Sequence, residues 1–316
     1  MIDRDKPILL TGSSGMVGGV TRALLHKGGF SRLLTPDRQA LDLTDSTAVD
    51  DYFARERPAY VLMVGALVGG IAANIQDPVG FTDVNLRIAL NLFSACHRFR
   101  TEKNLFLGSS CIYPVGHAEL IPETALLSGP LESTNEGYAL SKIVGLKLAR
   151  YYWQQYGMLT VCPMLSNVYG TGDHFDLSRA HVLSSLVRRF VDARDSAAPS
   201  VTLWGTGIAR REFLHSEDAA RAILFFMDHV DQPDHINVGL GSDVTIHELA
   251  ALIAQQTEFR GEIKWDASKP DGMLRKCLDT SKLKALGFAP QVSLADGIRQ
   301  TILEYETIKR TAGTPL

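Results

Sequence analysis

The chain predicts an α/β fold: a doubly wound parallel sheet with a smaller, interwoven C-terminal substrate domain. Three observations carry that expectation. Short apolar runs, Ile8-Leu9-Leu10, Tyr60–Val64 and Leu105-Phe106-Leu107, read as strands buried on both faces. Segments of helical length separate them, so strand and helix alternate along the chain. The first strand also runs straight into a glycine-rich turn that opens a helix.

That turn is Thr11-Gly12-Ser13-Ser14-Gly15-Met16-Val17-Gly18-Gly19, and Val20–His26 continues with helical character. Glycines at 12, 15 and 18 permit a tight turn and a close backbone approach to a pyrophosphate. The helix N-terminal amides receive its charge. The expectation is a Rossmann-type dinucleotide site, with Gly12, Ser13, Ser14, Gly15, Met16, Val17 and Gly18 as cofactor contacts. A second strand is expected over 32–35. After it, Asp37 suits a ribose hydroxyl and hence NAD, whereas Arg38 suits a 2′-phosphate and hence NADP. The reading favours Arg38 and NADP(H), with Asp42 and Leu43 at the adenine edge.

A helix over 46–57 precedes the strand at 60–64 and a glycine-rich loop. Ala59–Ile75 carries no charge over 17 residues, but it is short for a membrane span and is interrupted by Gly65, Gly69 and Gly70. A strand plus loop explains it, and a membrane partner is not expected. A helix over 78–99, containing Asn85, leads to the strand at Leu105, which Gly108 closes.

Ser109, Ser110 and Cys111 follow at the carboxyl end of that strand, the end that faces the ligand crevice in parallel sheets. Tyr138 and Lys142 lie one helical turn apart and share a face. A nearby ammonium favours the phenolate and would bring a tyrosine from about 10 toward neutrality, making it a usable acid/base. Together with Ser109, the pair resembles the active site of short-chain dehydrogenases/reductases.

The next strand, over 160–164, runs into Leu165-Ser166-Asn167-Val168-Tyr169-Gly170, a loop suited to closing over a nicotinamide through Leu165, Asn167 and Val168. Beyond it come a helix-spaced set (His181, Val182, Leu186, Arg189), a strand over 201–204 and Arg210-Arg211-Glu212-Phe213. Asp218 then marks the start of a helix. A strand over 236–239, a polar turn at Ser268-Lys269-Pro270-Asp271-Gly272 and a last helix after 278–287 complete the chain. The expected division is a cofactor domain over 1–172 with a returning segment at about 211–244. The substrate domain takes about 173–210 and 245–316.

Composition narrows the function class. The 316 residues, 45% hydrophobic and 21% charged, suit a soluble enzyme with ample core. A net charge of −3 without a basic run argues against nucleic acid. Cys96, Cys111, Cys162 and Cys277 form no C-x-x-C pair or metal spacing, so no metal site is expected and a reducing, cytoplasmic setting is. The charged start Met1–Asp5 runs directly into a strand and shows no secretory pattern.

Further motifs identify a narrower resemblance. Val68-Gly69-Gly70-Ile71 with Ala73-Asn74, Phe106 to Pro114, Asn135-Glu136-Gly137-Tyr138 with Lys142, and Ser166 to Gly170 are joined in order by His181-Val182, Trp204 to Gly207, Arg211 to Leu214 and Ser268 to Gly272. In these the chain resembles the GDP-L-fucose synthase family of extended short-chain dehydrogenases/reductases, over nearly its whole length. The resemblance implies C3/C5 epimerisation of GDP-4-keto-6-deoxy-D-mannose, then C4 reduction by NADPH, in a homodimer. It assigns Ser109, Cys111, Tyr138, Lys142 and His181 to catalysis, with His181 also beside the cofactor. Cys111 acts as base and His181 as acid on opposite faces of the sugar; their ordinary pKa values of about 8.5 and 6.5 bracket neutrality. Val182, Leu186, Arg189, Trp204, Arg211 and Lys269 are implied to bind the GDP-ketosugar.

Departures keep alternatives open. Some relatives carry Arg where Ser14 stands, and a Pro-Thr-Asn loop appears here as Leu165-Ser166-Asn167. Gly170-Thr171-Gly172-Asp173-His174-Phe175 also differs from the usual pattern. A related GDP-4-ketosugar therefore stays in view, either a 3-deoxy sugar as in GDP-L-colitose or a heptose. A 4,6-dehydratase would need an acidic pair where Ser110-Cys111-Ile112 stands. An NADP-sensing binding protein would not need Tyr138 and Lys142.

Overall fold

The computed structural model describes residues 1–117, 119–177, 180–269, 271 and 273–312; of the motif at 268–272, Pro270 and Gly272 lie outside the described residues. The first half runs β1 (Ile8–Leu10), α1 (Met16–Lys27), β2 (Leu33–Leu34), α2 (Ser46–Glu56), β3 (Tyr60–Met63), α3 (Ile71–Gln76), α4 (Pro78–Arg98), β4 (Lys103–Phe106), β5 (Gly108–Ser109) and α5 (Glu136–Tyr156). Then come β6 (Thr160–Leu165), β7 (Asn167–Tyr169), α6 (Val182–Asp195), β8 (Ser200–Trp204), β9 (Arg210–Arg211), β10 (Phe213–His215), α7 (Ser216–His229) and β11 (His235–Val238). The chain ends with β12 (Val244–Thr245), α8 (Ile246–Gln256), β13 (Glu262–Asp266), β14 (Arg275–Lys276), α9 (Ser281–Ala285) and α10 (Leu294–Ala312).

Seven parallel strands form the main sheet in the order β2-β1-β3-β4-β6-β11, with β5 beside β6. Every residue of β1 and β3 is buried, as apolar strands covered on both faces must be. One face packs against α2, α4 and α5 through Val49, Phe53, Leu92, Phe93, Ile143 and Leu146. The other packs against α1 and α7 through Leu25, Ala222, Ile223 and Phe226. The chain leaves β1 for β2 on one side and returns to β3 on the other. The crevice thus opens beyond the carboxyl ends of those two strands. A third core, Leu186, Val187, Phe190, Leu249, Ile253, Ile298 and Ile302, joins α6, α8 and α10 away from the main sheet.

Some boundaries differ from those the sequence suggests. The strand expected at Leu105 begins at Lys103, because two polar residues are buried within it. Lys103 Nζ pairs with Asp231 at 2.8 Å, and Asn104 Oδ1 accepts a hydrogen bond from Thr101 at 2.8 Å. Gly108 does not close the strand: β5 continues it and pairs with β6, where a side chain at 108 would collide with Met164. The loop after β6 contains β7, which pairs with β10. The expected helix-spaced set is helical from Val182, with His181 as its N-cap, and the glycine-rich loop after β3 ends in α3. No helix among the described residues is long and apolar enough to cross a membrane.

Candidate active site

At the strand crossover, Gly12 (φ +69°) faces Gly65 backbone to backbone; a Cβ on Gly12 would lie 2.5 Å from the Gly65 Cα. A Cβ on Gly18 would stand 2.0 Å from the Gly12 carbonyl oxygen, so α1 starts hard against the turn. Only glycine satisfies both positions. Gly15 is the N-cap of α1 and supplies no capping side chain, which leaves the first turn's amides for an anion. Asn85 fixes the facing loop, accepting from Leu67 N at 2.8 Å and donating to Leu67 O at 3.0 Å. Beyond β2, Asp37 is occupied by the amides of Gln39 and Ala40 at 3.0 and 2.8 Å, whereas Arg38 is exposed. Asp42 turns back to Thr44, and Leu43 packs against the core beneath. At the carboxyl end of β6, Leu165 is buried, Ser166 Oγ is buried without a protein partner, and Asn167 Nδ2 donates to Glu212 O at 3.1 Å. Val168 packs onto the sheet. A glycine cradle, an uncapped helix end and an unpartnered buried hydroxyl fit a polar dinucleotide.

α5 carries the next group. Gly145 lets this helix settle on the Phe106 ring of β4, and that contact sets the height of Tyr138 and Lys142 above the sheet. Lys142 is buried; its Nζ donates to Leu107 O at 2.7 Å, 4.9 Å from the Phe106 centroid and 5.7 Å from the Tyr138 centroid. Burial brings its ammonium down to about 8, with the Cys111 sulfur opposing the shift. The Tyr138 hydroxyl hydrogen-bonds Ser109. Burial nonetheless pushes its pKa up, Cys111 adds to the rise, and Ser109 only partly offsets it. The expected lowering of Tyr138 by Lys142 is thus corrected: desolvation of the phenolate outweighs an ammonium already committed to a carbonyl.

Cys111 is half-buried in the turn after β5, where its own amide donates to Ser109 Oγ at 3.3 Å. Two side chains donate to its sulfur: Asn135 Nδ2 at 3.5 Å and Lys276 Nζ at 3.7 Å. Neither belongs to the site predicted from sequence. Asn135 belongs to the motif Asn135-Glu136-Gly137-Tyr138, whereas Lys276 lies 165 residues from Cys111 with no local signal. Ser109, Cys111, Tyr138 and Lys142 are therefore brought together.

His181 is exposed at the N-cap of α6, where its side chain makes no capping bond. Near it lies Asp173, a buried carboxyl that also accepts from Ser184. Burial pushes Asp173 up, and the hydrogen bond and nearby imidazoles pull against that. Val182 is exposed beside His181. Leu186 is buried in the core of α6, and Arg189 Nε donates to Ser185 at 3.4 Å. Trp204 is 69% exposed with Lys269 Nζ 5.7 Å from its ring centroid. The turns bearing these two meet where Thr206 N and Oγ1 both donate to Asp271 at 2.7 Å. Arg211 is half-buried, its pKa lowered by burial and partly restored by Glu132.

A profile of the NAD dependent epimerase/dehydratase family matches residues 8–239. GDP-L-fucose synthase 1 of Arabidopsis thaliana is 44% identical over 301 residues, 95% of this chain and 93% of that protein. GDP-L-fucose synthase of Escherichia coli (strain K12) is 43% identical over 303 residues, covering 93% and 94%. Among solved structures, a GDP-L-fucose synthetase from Naegleria fowleri bound to NADP matches with a TM-score of 0.91 at 26% identity, covering 98% of this chain and 96% of that one.

Proposed function

The chain belongs to the NAD dependent epimerase/dehydratase family, and from that membership we propose a bifunctional epimerase/reductase. It converts GDP-4-keto-6-deoxy-D-mannose to GDP-L-fucose by inverting C3 and C5 and then reducing C4. One observation carries this reading: Cys111 shares a cluster with Ser109, Tyr138 and Lys142. A reductase alone needs only the last three.

The cofactor on this reading is NADP(H), which supplies the hydride for C4. The turn from Gly12 to Gly18 would hold its pyrophosphate, Arg38 the 2′-phosphate, Asp42 and Leu43 the adenine side, and Lys142 the ribose. Leu165, Asn167 and Val168 would sit toward the nicotinamide. We read residues 1–172 with 211–244 as the cofactor domain and the remainder as the substrate domain.

The chain's own chemistry follows from acidity. A 4-ketone acidifies the hydrogens on C3 and C5, so each centre inverts through an enolate. Cys111 sulfur removes the proton from one face, and His181 returns one to the other. Ser109 and Tyr138 hydroxyls donate to the enolate oxygen, where charge develops. In the reductive step Tyr138 gives its proton to the C4 oxygen; a phenol kept protonated by burial suits that role. Val182, Arg189, Trp204, Arg211 and Lys269 would meet the GDP-sugar, with Leu186 supporting from beneath.

Four free cysteines suit a reducing cytoplasm. The exposed stripe of Leu140, Val144 and Tyr151 on α5, beside Leu90 on α4, suits a homodimer face. The test of function is incubation with GDP-4-keto-6-deoxymannose in deuterium oxide without NADPH. Label entering C3 and C5, followed by GDP-L-fucose once NADPH is added, supports the proposal. A ketosugar recovered unlabelled would rule out epimerisation.

A further inference from the structure

We propose that Lys276, assisted by Asn135, holds the Cys111 sulfur as a proton acceptor and is therefore a positioning residue for epimerisation. The inference rests on the epimerase reading above and names what prepares its base. Lys276 Nζ and Asn135 Nδ2 both point a donor at the sulfur, at 3.7 and 3.5 Å.

Both donors are committed to this geometry by their surroundings. Asn135 stands at the N-cap of α5, where an asparagine ordinarily accepts from the helix amides, yet it makes no capping bond. Its Oδ1 is buried without a protein partner while its Nδ2 serves the sulfur. Lys276 sits on β14, a strand pinned at both ends. Arg275 before it and Arg210 on β9 share Asp243, each at 2.6 Å. After it, Cys277 O accepts from Ile121 N at 2.9 Å, and Leu278 N donates to Glu212 at 3.1 Å.

The other groups facing Cys111 do not replace it. On α5, Tyr138 is a phenol that burial keeps protonated, and Lys142 spends its Nζ on Leu107 O. Ser109 receives the Cys111 amide. Arg211, the register partner of Lys276, donates to Arg210 O and feels Glu132. In the reaction the sulfur's lone pair takes the proton from C3 or C5. The C–H electron pair moves toward the ketone oxygen as S–H forms, and the proton from His181 closes the new C–H bond on the opposite face. An ammonium beside the sulfur favours the anion that begins this cycle.

The test alkylates the full-length protein with iodoacetamide, without substrate, from about pH 5.5 to about pH 9.5, and follows the Cys111 peptide by mass spectrometry. Cys96, Cys162 and Cys277 are buried and stay quiet. Lys276→Met is expected to slow alkylation about tenfold near pH 7, with the difference closing at the alkaline end. Lys276→Arg should stay within about twofold of wild type. The same Lys276→Met change should lower kcat for deuterium wash-in by a similar factor. Where that variant does not fold, Lys276→Gln takes its place. Profiles that superimpose on wild type overturn the proposal, as does a loss in Lys276→Arg equal to that in Lys276→Met. A raised KM with unchanged alkylation would make Lys276 a substrate contact only, and also overturns it. Absence of wash-in by the wild type, with the alkylation shift intact, would defeat the epimerase reading and leave the Lys276–Cys111 coupling standing.

Discussion

Gly145→Ala tests whether packing beneath α5 sets the chemistry above it. A Cβ at 145 would lie 2.1 Å from Phe106 Cζ and within 2.7 Å of both Cε atoms. Ordinary contact needs about 3.4 Å, so ring or helix must move by about 1.3 Å. The ring has little room: Phe106 is 5% exposed and lies 5.7 Å, centroid to centroid, from Phe93. If α5 lifts, the 2.7 Å bond from Lys142 to Leu107 O stretches to about 4 Å and is lost. Overpacking costs about 1–3 kcal/mol, roughly 2 °C of Tm per kcal/mol in a chain of this length. A displacement of about 1 Å at Tyr138 and Lys142 lowers kcat for ketone reduction about 100-fold. Calorimetry and NADPH oxidation at saturating substrate measure the two effects. Adding Phe106→Leu makes room for the new methyl and should restore most of both. Unchanged Tm and kcat in Gly145→Ala would refute the reasoning, as would a Phe106→Leu background that restores neither.

Five further outcomes are expected. Cys111→Ser should cut deuterium wash-in at C3 and C5 by about 100-fold or more while still reducing the already inverted ketone. Tyr138→Phe should spare wash-in better than reduction, and NMR of the recovered sugar separates the two. Lys142 falls from 10.5 in the unfolded chain to about 8 when folded, so the folded state sheds its proton first and stability rises between those values. The stability advantage of Lys142→Met over wild type, read by urea unfolding, should therefore shrink by about 3 kcal/mol from pH 7 to about pH 10.5. Arg38→Glu should raise the Kd for NADPH about tenfold or more and leave NADH nearly unchanged in fluorescence titration. Asp243→Asn removes the charge shared by two arginines that are 40% and 34% exposed in their side chains, so solvent screening holds the loss to about 1 kcal/mol. It should also slow Cys111 alkylation, because it loosens the strand bearing Lys276.

The sequence made the main sheet legible wherever burial was purely apolar. Ile8–Leu10 and Tyr60–Met63 are uninterrupted, and local pattern suffices there. It misled where tertiary partners made a polar residue tolerable, as with Lys103 and Asn104 inside β4. The start of α8 carries a local signal, the reciprocal capping box of Thr245 and Glu248, which a strand over 236–239 followed by a polar turn at 268–272 does not include. The glycine turn and the Tyr138–Lys142 pair are local features with fixed spacing, so their geometry follows from one strand and one helix. The environment of Tyr138 is not local: its burial depends on how α5 meets β4, and that decides the direction of its pKa.

The Cys111 site shows why its complete form is hidden from pattern reading. Its sulfur is reached by an amide from the turn before α5 and by an ammonium from β14. β14 belongs to a small three-stranded sheet, β12-β9-β14, separate from the main sheet whose β5 leads into the turn bearing Cys111. Buried polar groups join the two. Glu212, between β9 and β10, receives the amides of Gly241 and Leu278, while Asn237 on β11 donates to Ile121 and Asp279 carbonyls. Each of these contacts satisfies a group that would be costly if left alone, so the small sheet docks in one register. A thiol whose donors come from that docked strand is prepared only when both parts of the chain are folded together. Loosening Glu212 or Asp243 should therefore disturb the thiol's reactivity before it disturbs the glycine turn, which depends only on β1, β3 and α1.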